Sequence, residues 1–155
     1  MIKGGCMISK IIVPSDGSKT ARRAAEYAVD LAKQLKASII VLSVIDQRSL
    51  IAQTVPASKT ARQTIEPTAD YLREAAEEYA GEIKKLCDKS GVASTILIKT
   101  GHPVEVIVKE AKRSKANLIV MGSHGRSALS ATVLGSVSYG VIHNDKSIPV
   151  LIVRA

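Results

Sequence analysis

The chain has 155 residues, of which 22 are Lys or Arg and 14 are Asp or Glu, so its formal charge at neutral pH is +8. It has no Trp, no Phe and four Tyr, and 46% of its residues are apolar and 23% charged. This composition excludes a disordered polyelectrolyte and a coiled coil. It predicts one domain, residues 1–155, around an aliphatic core.

The positive charge makes nucleic acid and anionic membranes the first partners to consider. However, four tyrosines form a poor platform for stacking bases, and no stretch reaches the ~18 apolar residues of a membrane span. The sequence therefore disfavours both partners. Cys6 and Cys87 lack metal-ligand spacing, which predicts free thiols. Because residues 1–7 contain no apolar signal core, we expect a cytoplasmic protein.

Apolar runs alternate with helical patterns along the first half of the chain. Residues 10–13 form a short apolar strand, and a turn cluster follows at 14–18. From Ser18 the spacing of apolar residues predicts a helix, and residues 38–45 read as a second buried strand. The face of that helix is expected to carry Ala21, Ala25, Ala28, Ala32 and Leu35.

Residues 46–66 have no period and are long for a connector, which predicts either a functional flap or a disordered loop. Residues 1–8 are expected to be flexible. Beyond them the pattern predicts a helix from Pro67 to the Ser90-Gly91 stop. The remaining elements are a strand at 92–98, a helix opened by Pro103, a strand at 117–121, a helix starting near Gly135 and a strand at 149–153.

The order βαβαβαβαβ, with strands apolar on both faces, requires a parallel sheet covered by helices on both sides. In such α/β sheets, ligands bind beyond the carboxyl ends of the strands, where the strand order reverses. The loops after the strands are therefore the places to look for a site.

Two loops carry suitable residues. After strand four come Gly122 and Gly125, which allow positive φ and a close approach of the backbone, so that successive N–H groups could face an anion. Nine residues later Gly135-Ser136 opens a helix, whose N-terminus favours the same anion, and the hydroxyls of Ser136 and Ser138 add donors. After strand one, Asp16 could accept hydrogen bonds from a ribose or a base, or hold a metal through water. The alternatives are a tight turn at the glycines and a helix cap at Asp16.

The run Gly122-Ser123-His124-Gly125, nine residues, Gly135-Ser136 resembles the nucleotide-binding signature of the ATP-binding universal stress proteins. Residues 12–18 are similar to that family's opening strand and loop, and the resemblance covers residues 8–154. It implies an α/β fold with an open, doubly wound, Rossmann-like sheet in the order 3-2-1-4-5. It also implies an adenine-nucleotide partner and a homodimer formed through the strand Val150–Val153.

The same resemblance implies individual site residues. Those near adenine, ribose and phosphates would be Pro14, Asp16, Val44, Met121 and Gly122. Those around the triphosphate would be Ser123, His124, Gly125, Gly135, Ser136, Val137 and Ser138. Arg126 also belongs to the expected site and is the only charged side chain between Ala116 and Val141. Because it leaves a triphosphate under-neutralised, we expect Mg²⁺ to accompany ATP. On this interpretation Gly122→Val would abolish ATP binding while leaving the fold intact.

Enzymatic motifs fit less well. Gly17-Ser18-Lys19-Thr20 resembles the end of a P-loop but lacks the Gly-Lys pair. Residues 136–140 imitate a nucleophile elbow, but no strand leads into them and His143 and Asp145 are too close together for a usual triad. A role for His124 as general base is a minor alternative. The sequence thus predicts a nucleotide-dependent stress-response or signalling module with at most slow ATP hydrolysis; the alternative is a dimeric interaction protein of the same fold that binds no nucleotide.

Overall fold

The computed structural model describes residues 7–48, 65–125 and 134–154. Within these ranges five strands alternate with four helices. The strands are β1 (Lys10–Pro14), β2 (Ser38–Asp46), β3 (Ser94–Gly101), β4 (Leu118–Gly122) and β5 (Val150–Val153). The helices are α1 (Lys19–Leu35), α2 (Ile65–Lys89), α3 (Pro103–Arg113) and α4 (Ser136–Asn144).

The strands form one parallel sheet in the order β3-β2-β1-β4-β5, which confirms the predicted fold class. The central strand β1 pairs with β2 on one side and with β4 on the other. The chain adds β2 and β3 on one side of β1 and then β4 and β5 on the other, so the strand order reverses between β1 and β4. The carboxyl ends of these two strands, and the loops that follow them, are neighbours.

Two layers of core side chains cover the sheet. Ile11 and Val13 of β1 pack into the layer under α1 and α2, whereas Ile12 packs into the layer under α3 and α4. All three side chains are completely buried. This alternation explains why the strands are apolar at consecutive positions, since both of their faces lie in the core.

Helix α1 is set by capping groups at both ends. The Ser18 hydroxyl oxygen accepts a hydrogen bond from the Ala21 N–H at 3.1 Å, and Lys36 ends the helix in the left-handed conformation. The predicted buried face is confirmed at Ala21, Ala25, Ala28 and Ala32. It is wrong at Leu35, which is 41% exposed because it is the last helical residue before the chain turns away at Lys36.

Several predicted boundaries shift. Strand β3 begins at Ser94 instead of residue 92, because the Val92 N–H still bonds to the Cys87 carbonyl as the chain leaves α2. It extends to Gly101, which pairs with Asp46 at the end of the longer β2. The predicted flap at 46–66 therefore loses Asp46 to β2 and its last two residues to α2, and its positions 49–64 lie outside the described residues. Positions 1–6 of the predicted flexible N-terminus lie outside them as well.

The thiol of Cys87 is free and fully buried in the core under α1 and α2, as predicted for a cysteine without a partner. Burial raises the pKa of this thiol, which keeps it in the unreactive neutral form. None of the helices in the described ranges is long and apolar enough to cross a membrane.

Candidate functional site

The candidate site lies where the β1–α1 loop meets the start of the β4–α4 loop. β1 and β4 are neighbours in the sheet, where Ile11 pairs with Leu118 and Ile12 with Ile119. The Gly122-Ser123-His124-Gly125 segment continues from β4, and α4 begins after Gly135. In this way the fold brings together the two loops that were singled out in the sequence.

The β1–α1 loop is organised by its own side chains. The Ser15 hydroxyl oxygen accepts a hydrogen bond from the Gly17 N–H at 3.3 Å, and Asp16 Oδ1 accepts one from the Ser18 N–H at 2.9 Å. Ser18, not Asp16, is the N-cap of α1. The alternative role of Asp16 as a helix cap is therefore wrong, because its carboxylate closes a turn one step earlier in the chain.

The β4–α4 loop is held by main-chain and hydroxyl bonds. The Gly135 N–H donates to the Ser123 carbonyl at 2.6 Å, which draws the start of α4 back onto the end of β4. The buried Ser138 hydroxyl donates to the Gly122 carbonyl at 2.7 Å. The Ser123 hydroxyl and His124 Nδ1 form a further hydrogen bond of 2.8 Å.

The glycines of this loop serve a different purpose from the predicted one. Gly122 and Gly125 do not have positive φ, so the expectation based on backbone conformation is wrong. A Cβ on Gly122 would lie 3.0 Å from the backbone carbon of Thr20, and one on Gly125 would collide with Asp16 Oδ2. A Cβ on Gly135 would lie 2.9 Å from His124 Cα. Backbone atoms therefore leave little room for a side chain at Gly122 and Gly135, whereas a side chain at Gly125 would displace the Asp16 carboxylate.

The other predicted residues divide between the site edge and the core. Pro14 and Val44 lie at the carboxyl ends of β1 and β2, and Ser136 is exposed at the first position of α4. Met121 is 5% exposed, and its side chain packs under α3 and α4 together with the partly buried Val137. Any contribution of Met121 to a ligand would therefore come from its backbone. Arg126 lies outside the described residues.

Helix termini supply the electrostatics of this edge of the sheet. The N-termini of α1 and α4 both follow the loops of the site, and the first N–H groups of a helix lack partners within it. Ser138 is committed elsewhere, because its hydroxyl proton goes to Gly122, so the predicted donor role falls to Ser136. Within the described residues, no three acidic, histidine or cysteine side chains come together as metal ligands.

A charged pair stands at the end of β2. Arg48 donates to Asp46 from Nε at 3.2 Å and from an Nη atom at 2.9 Å. These bonds from Arg48 hold the pKa of the Asp46 carboxyl below its usual range. Asp46 thus offsets the charge of Arg48.

The elements of the elbow-like motif do not form a nucleophilic relay. Its central residue, Ser138, is 3% exposed and donates to a main-chain carbonyl. His143 Nδ1 is bonded to the carbonyl of Tyr139, and Asp145 accepts hydrogen bonds from Ser147. Ser138 is thus bonded to β4, whereas His143 and Asp145 are each bonded to a neighbour in their own segment. The motif is a structural part of α4 and its cap.

Sequence reasoning missed two residues of the site. The Thr20 hydroxyl donates to the His124 carbonyl, and Thr20 is also the residue against which Gly122 packs. The ring of Tyr79 on α2 covers Gly17. Thr20 belongs to the P-loop-like Gly17–Thr20 segment, whose pattern indicates phosphate contacts and gives no sign of a hydrogen bond from α1 to the β4–α4 loop. The sequence around Tyr79 gives no signal, because the contact joins elements that are distant along the chain.

Comparison with known proteins places this architecture in a family. Residues 7–154 match the model of the universal stress protein family. Universal stress protein MJ0531 of Methanocaldococcus jannaschii is 33% identical over 151 residues, which cover 97% of this chain and 85% of that protein. MJ0577 of the same organism is 35% identical over 157 residues, with 96% of both proteins covered.

Solved structures agree with these matches. The structure of MJ0577 superposes with a TM-score of 0.78 at 33% identity and covers 96% of this chain and 97% of that one. A universal stress protein from Archaeoglobus fulgidus, solved in complex with dAMP, has a TM-score of 0.63 at 18% identity, covering 96% of this chain and 99% of that one. At that identity the likeness concerns the fold.

Proposed function

This chain belongs to the universal stress protein family, and from that premise we propose that it binds ATP where the β1–α1 and β4–α4 loops meet. The observation that carries the proposal is the close packing of three glycines. Gly122 packs against Thr20 of α1, Gly125 against Asp16 of the β1–α1 loop, and Gly135 against His124. Backbone is thereby brought to the edge of the sheet at a strand-order reversal, beside two helix N-termini. Such a place suits a phosphate chain.

The two ends of a nucleotide would meet different groups. The Asp16 carboxylate could accept hydrogen bonds from ribose hydroxyls or a base, with Pro14 and the Val44 backbone beside it. The N-terminus of α4 and the Ser136 hydroxyl would face the phosphates, as would the main chain of residues 122–125. The dAMP complex of the Archaeoglobus fulgidus protein supports an adenine nucleotide as the ligand class for this fold.

We expect Mg²⁺ to bind together with ATP. Between Ala116 and Val141 the only charged side chain is Arg126, so a triphosphate would remain largely unneutralised by the protein. Mg²⁺ commonly keeps several waters and binds through substrate phosphates and one or two carboxylates. Asp16, which contacts Gly125, is a carboxylate in position for such a role.

The proposed activity is that of a nucleotide-dependent stress-response or signalling module. General-base catalysis needs a side chain free to take a proton from water. In the described part of the β4–α4 loop, the Ser123 hydroxyl and His124 Nδ1 are bonded to one another, and the Ser138 hydroxyl donates to a main-chain carbonyl. The exposed Ser136 hydroxyl is itself a weak base. Any ATP hydrolysis should therefore be slow. A cytoplasmic location stays a prediction.

Calorimetric titration with ATP, with and without Mg²⁺, tests the proposal directly. We expect binding that Mg²⁺ strengthens, and for Ser136→Ala a dissociation constant raised about tenfold, as for the loss of one hydrogen bond to a charged group. Ser136 is exposed, so this change should leave the stability intact. Ser90→Ala, after α2 at the opposite edge of the sheet, is the matched control and should bind like the wild type.

A different outcome would favour the second candidate, a dimeric interaction protein that holds no nucleotide. If neither titration at millimolar ATP nor chromatography of an acid extract of the purified protein detects an adenine nucleotide, the binding proposal is lost. A co-purified adenine nucleotide would also raise the ratio of absorbance at 260 nm to that at 280 nm in the purified protein, because a chain without Trp absorbs weakly at 280 nm.

Strand β5 supports a homodimer for either function. It is the last strand in the sheet order, and its four apolar residues are only half-buried. The N–H groups of Ile119 and Ser123 donate to the carbonyls of Pro149 and Val153, so the intervening peptide groups at Val150 and Ile152 face away from β4. An open apolar edge of this kind pairs readily with a second copy. Sedimentation should give the mass of two chains, and a monomer at high protein concentration would contradict the dimer.

A further inference from the structure

The β1–α1 loop is supported on its α2 side by an aromatic ring. A Cβ on Gly17 would lie 2.5 Å from both Cε1 and Cζ of Tyr79, so the ring rests directly on the glycine. Gly17 also has a φ of +79°, a conformation that most residues avoid. Position 17 therefore favours glycine for two reasons: its backbone conformation, and the Tyr79 ring, which leaves no room for a side chain.

The residue next to this contact is the one expected to meet the nucleotide. Gly17 touches α2, while its neighbour Asp16 lies against Gly125 of the other loop. Hydrogen bonds to Ser15 Oγ and Asp16 Oδ1 make residues 15–18 a single compact turn. A displacement of Gly17 would therefore also move the Asp16 carboxylate, which belongs to the same turn.

Tyr79 also fills space into which the turn could otherwise move. Together with Arg22, Glu82 and Leu86 it lines a groove of about 170 Å³ between α1 and α2. The ion pair between Arg22 and Glu82 is long, 3.9 Å, and both side chains are more than half exposed. Such a pair contributes little rigidity. Without the ring, Gly17 and Ser18 would border an enlarged groove.

We propose that the Tyr79 ring is a positioning residue for nucleotide binding, which holds the β1–α1 turn so that Asp16 faces the glycine-rich loop. The inference rests on the proposed ATP site and adds a residue of α2 that is not expected to touch the ligand. If the ring holds the turn in the arrangement that binds ATP, removing the ring reduces the fraction of molecules that are able to bind. The apparent dissociation constant rises in inverse proportion to that fraction.

Substitutions at Tyr79 provide the first test, with ATP affinity and urea unfolding measured on each variant. Tyr79→Ala should raise the ATP dissociation constant roughly fivefold to tenfold, as when the competent fraction falls to between a fifth and a tenth. Tyr79→Phe keeps the ring and should bind within about twofold of the wild type. Tyr71→Ala is the control, because Tyr71 lies on the same helix and is 67% exposed. If Tyr79→Ala does not fold, Tyr79→Leu, which keeps apolar volume without the flat ring, replaces it.

A double-mutant cycle provides the second test. Asparagine tolerates positive φ, but its Cβ at position 17 would run into the Tyr79 ring. Gly17→Asn should therefore weaken ATP binding more in the wild type than in Tyr79→Ala, a coupling expected for residues in contact. Wild-type affinity in Tyr79→Ala, or a loss in Tyr79→Phe as large as in Tyr79→Ala, would overturn the role of the ring. Failure of the wild type itself to bind ATP would refute the proposed function instead.

Discussion

The two loops of the candidate site are stabilised in different ways. In the β1–α1 loop the side chains of Ser15, Asp16 and Ser18 accept hydrogen bonds from N–H groups two or three positions further along the chain. In the β4–α4 loop the bond from Ser138 reaches back 16 residues, and the bond from Thr20 to His124 spans 104. The first loop thus combines local side-chain bonds with two contacts to other elements, from the Ser15 N–H to the Leu42 carbonyl and from Gly17 to the Tyr79 ring. The bonds described for the second loop depend more fully on the assembled fold.

This difference separates the energetic roles of the two loops. Bonds within a turn form together with the helix that follows, and their loss costs local stability. Bonds between distant segments form only when β1, β4, α1 and α4 are packed, so they couple the shape of the loop to global folding. We expect perturbations of the second loop to have larger effects, and a bound nucleotide to stabilise the fold by linkage.

Gly122→Val tests this coupling and should have the largest effect. The added side chain would meet the backbone of Thr20, so β4 and the first turn of α1 must move apart. Overpacking of this kind costs about 1–3 kcal/mol in unfolding free energy. The sequence-based expectation that this variant loses ATP binding with an intact fold is therefore revised: the structure predicts that stability falls as well.

Gly81→Ala provides the matched control for Gly122→Val. Gly81 lies within α2, and among the described residues no heavy atom of another segment would come within 4 Å of a Cβ there. An alanine should therefore stabilise the protein by about 0.5–1 kcal/mol, since glycine is unfavourable in a helix interior. Urea denaturation of both variants gives the comparison. A stability of Gly122→Val equal to that of the wild type would show that the second loop is not coupled to the fold.

Thr20→Val should have the next largest effect. Valine keeps the branched shape but removes the hydroxyl that donates to the His124 carbonyl, and we expect a loss of about 1 kcal/mol in stability. Because this bond ties the second loop to α1, the ATP dissociation constant should rise as well, by about fivefold.

The control for Thr20→Val is Thr95→Val, an exposed threonine on β3 where the same chemical change should be neutral. Unchanged ATP affinity in Thr20→Val, measured together with the expected loss of stability, would mean that the tie is purely structural. The comparison between the loops would then hold for folding and not for binding.

The same contrast explains what the sequence could predict. The β1–α1 loop was recognised from local chemistry, although Ser18, not Asp16, proved to be the cap. The two core layers followed from periodicity, whereas the strand order and the convergence of the two loops followed from the resemblance alone. The contacts of Thr20 and Tyr79, and the reason for glycine at 122 and 125, could not be predicted, because they depend on how far α1 and α2 approach the loops. No local pattern encodes such a distance.

The C-terminal end of α4 is held by local hydrogen bonds, as the turn of the β1–α1 loop is. A substitution there has the smallest expected effect and the most specific one. Asp145 caps the helix, and its Oδ1 accepts hydrogen bonds from the Ser147 N–H at 3.0 Å and from the Ser147 hydroxyl at 2.7 Å. These bonds, with a smaller contribution from Lys112 at 3.5 Å, lower the pKa of Asp145 below its ordinary value. A carboxylate with a lowered pKa stabilises the fold above its unfolded-state pKa of about 4 and loses that contribution as the pH falls through its folded-state pKa.

Asp145→Asn removes this titration while keeping an acceptor oxygen for Ser147. The decrease in unfolding free energy between pH 6 and pH 3, measured by urea denaturation, should therefore be smaller in the variant than in the wild type. The difference isolates Asp145 from the other carboxylates, which titrate in both proteins. If both proteins lost equal stability, the bonds to Ser147 would not distinguish the folded from the unfolded carboxylate. Equal ATP affinity in the two proteins at pH 7 is also expected, because the helix end that Asp145 caps is the one remote from the loops that meet at Gly125.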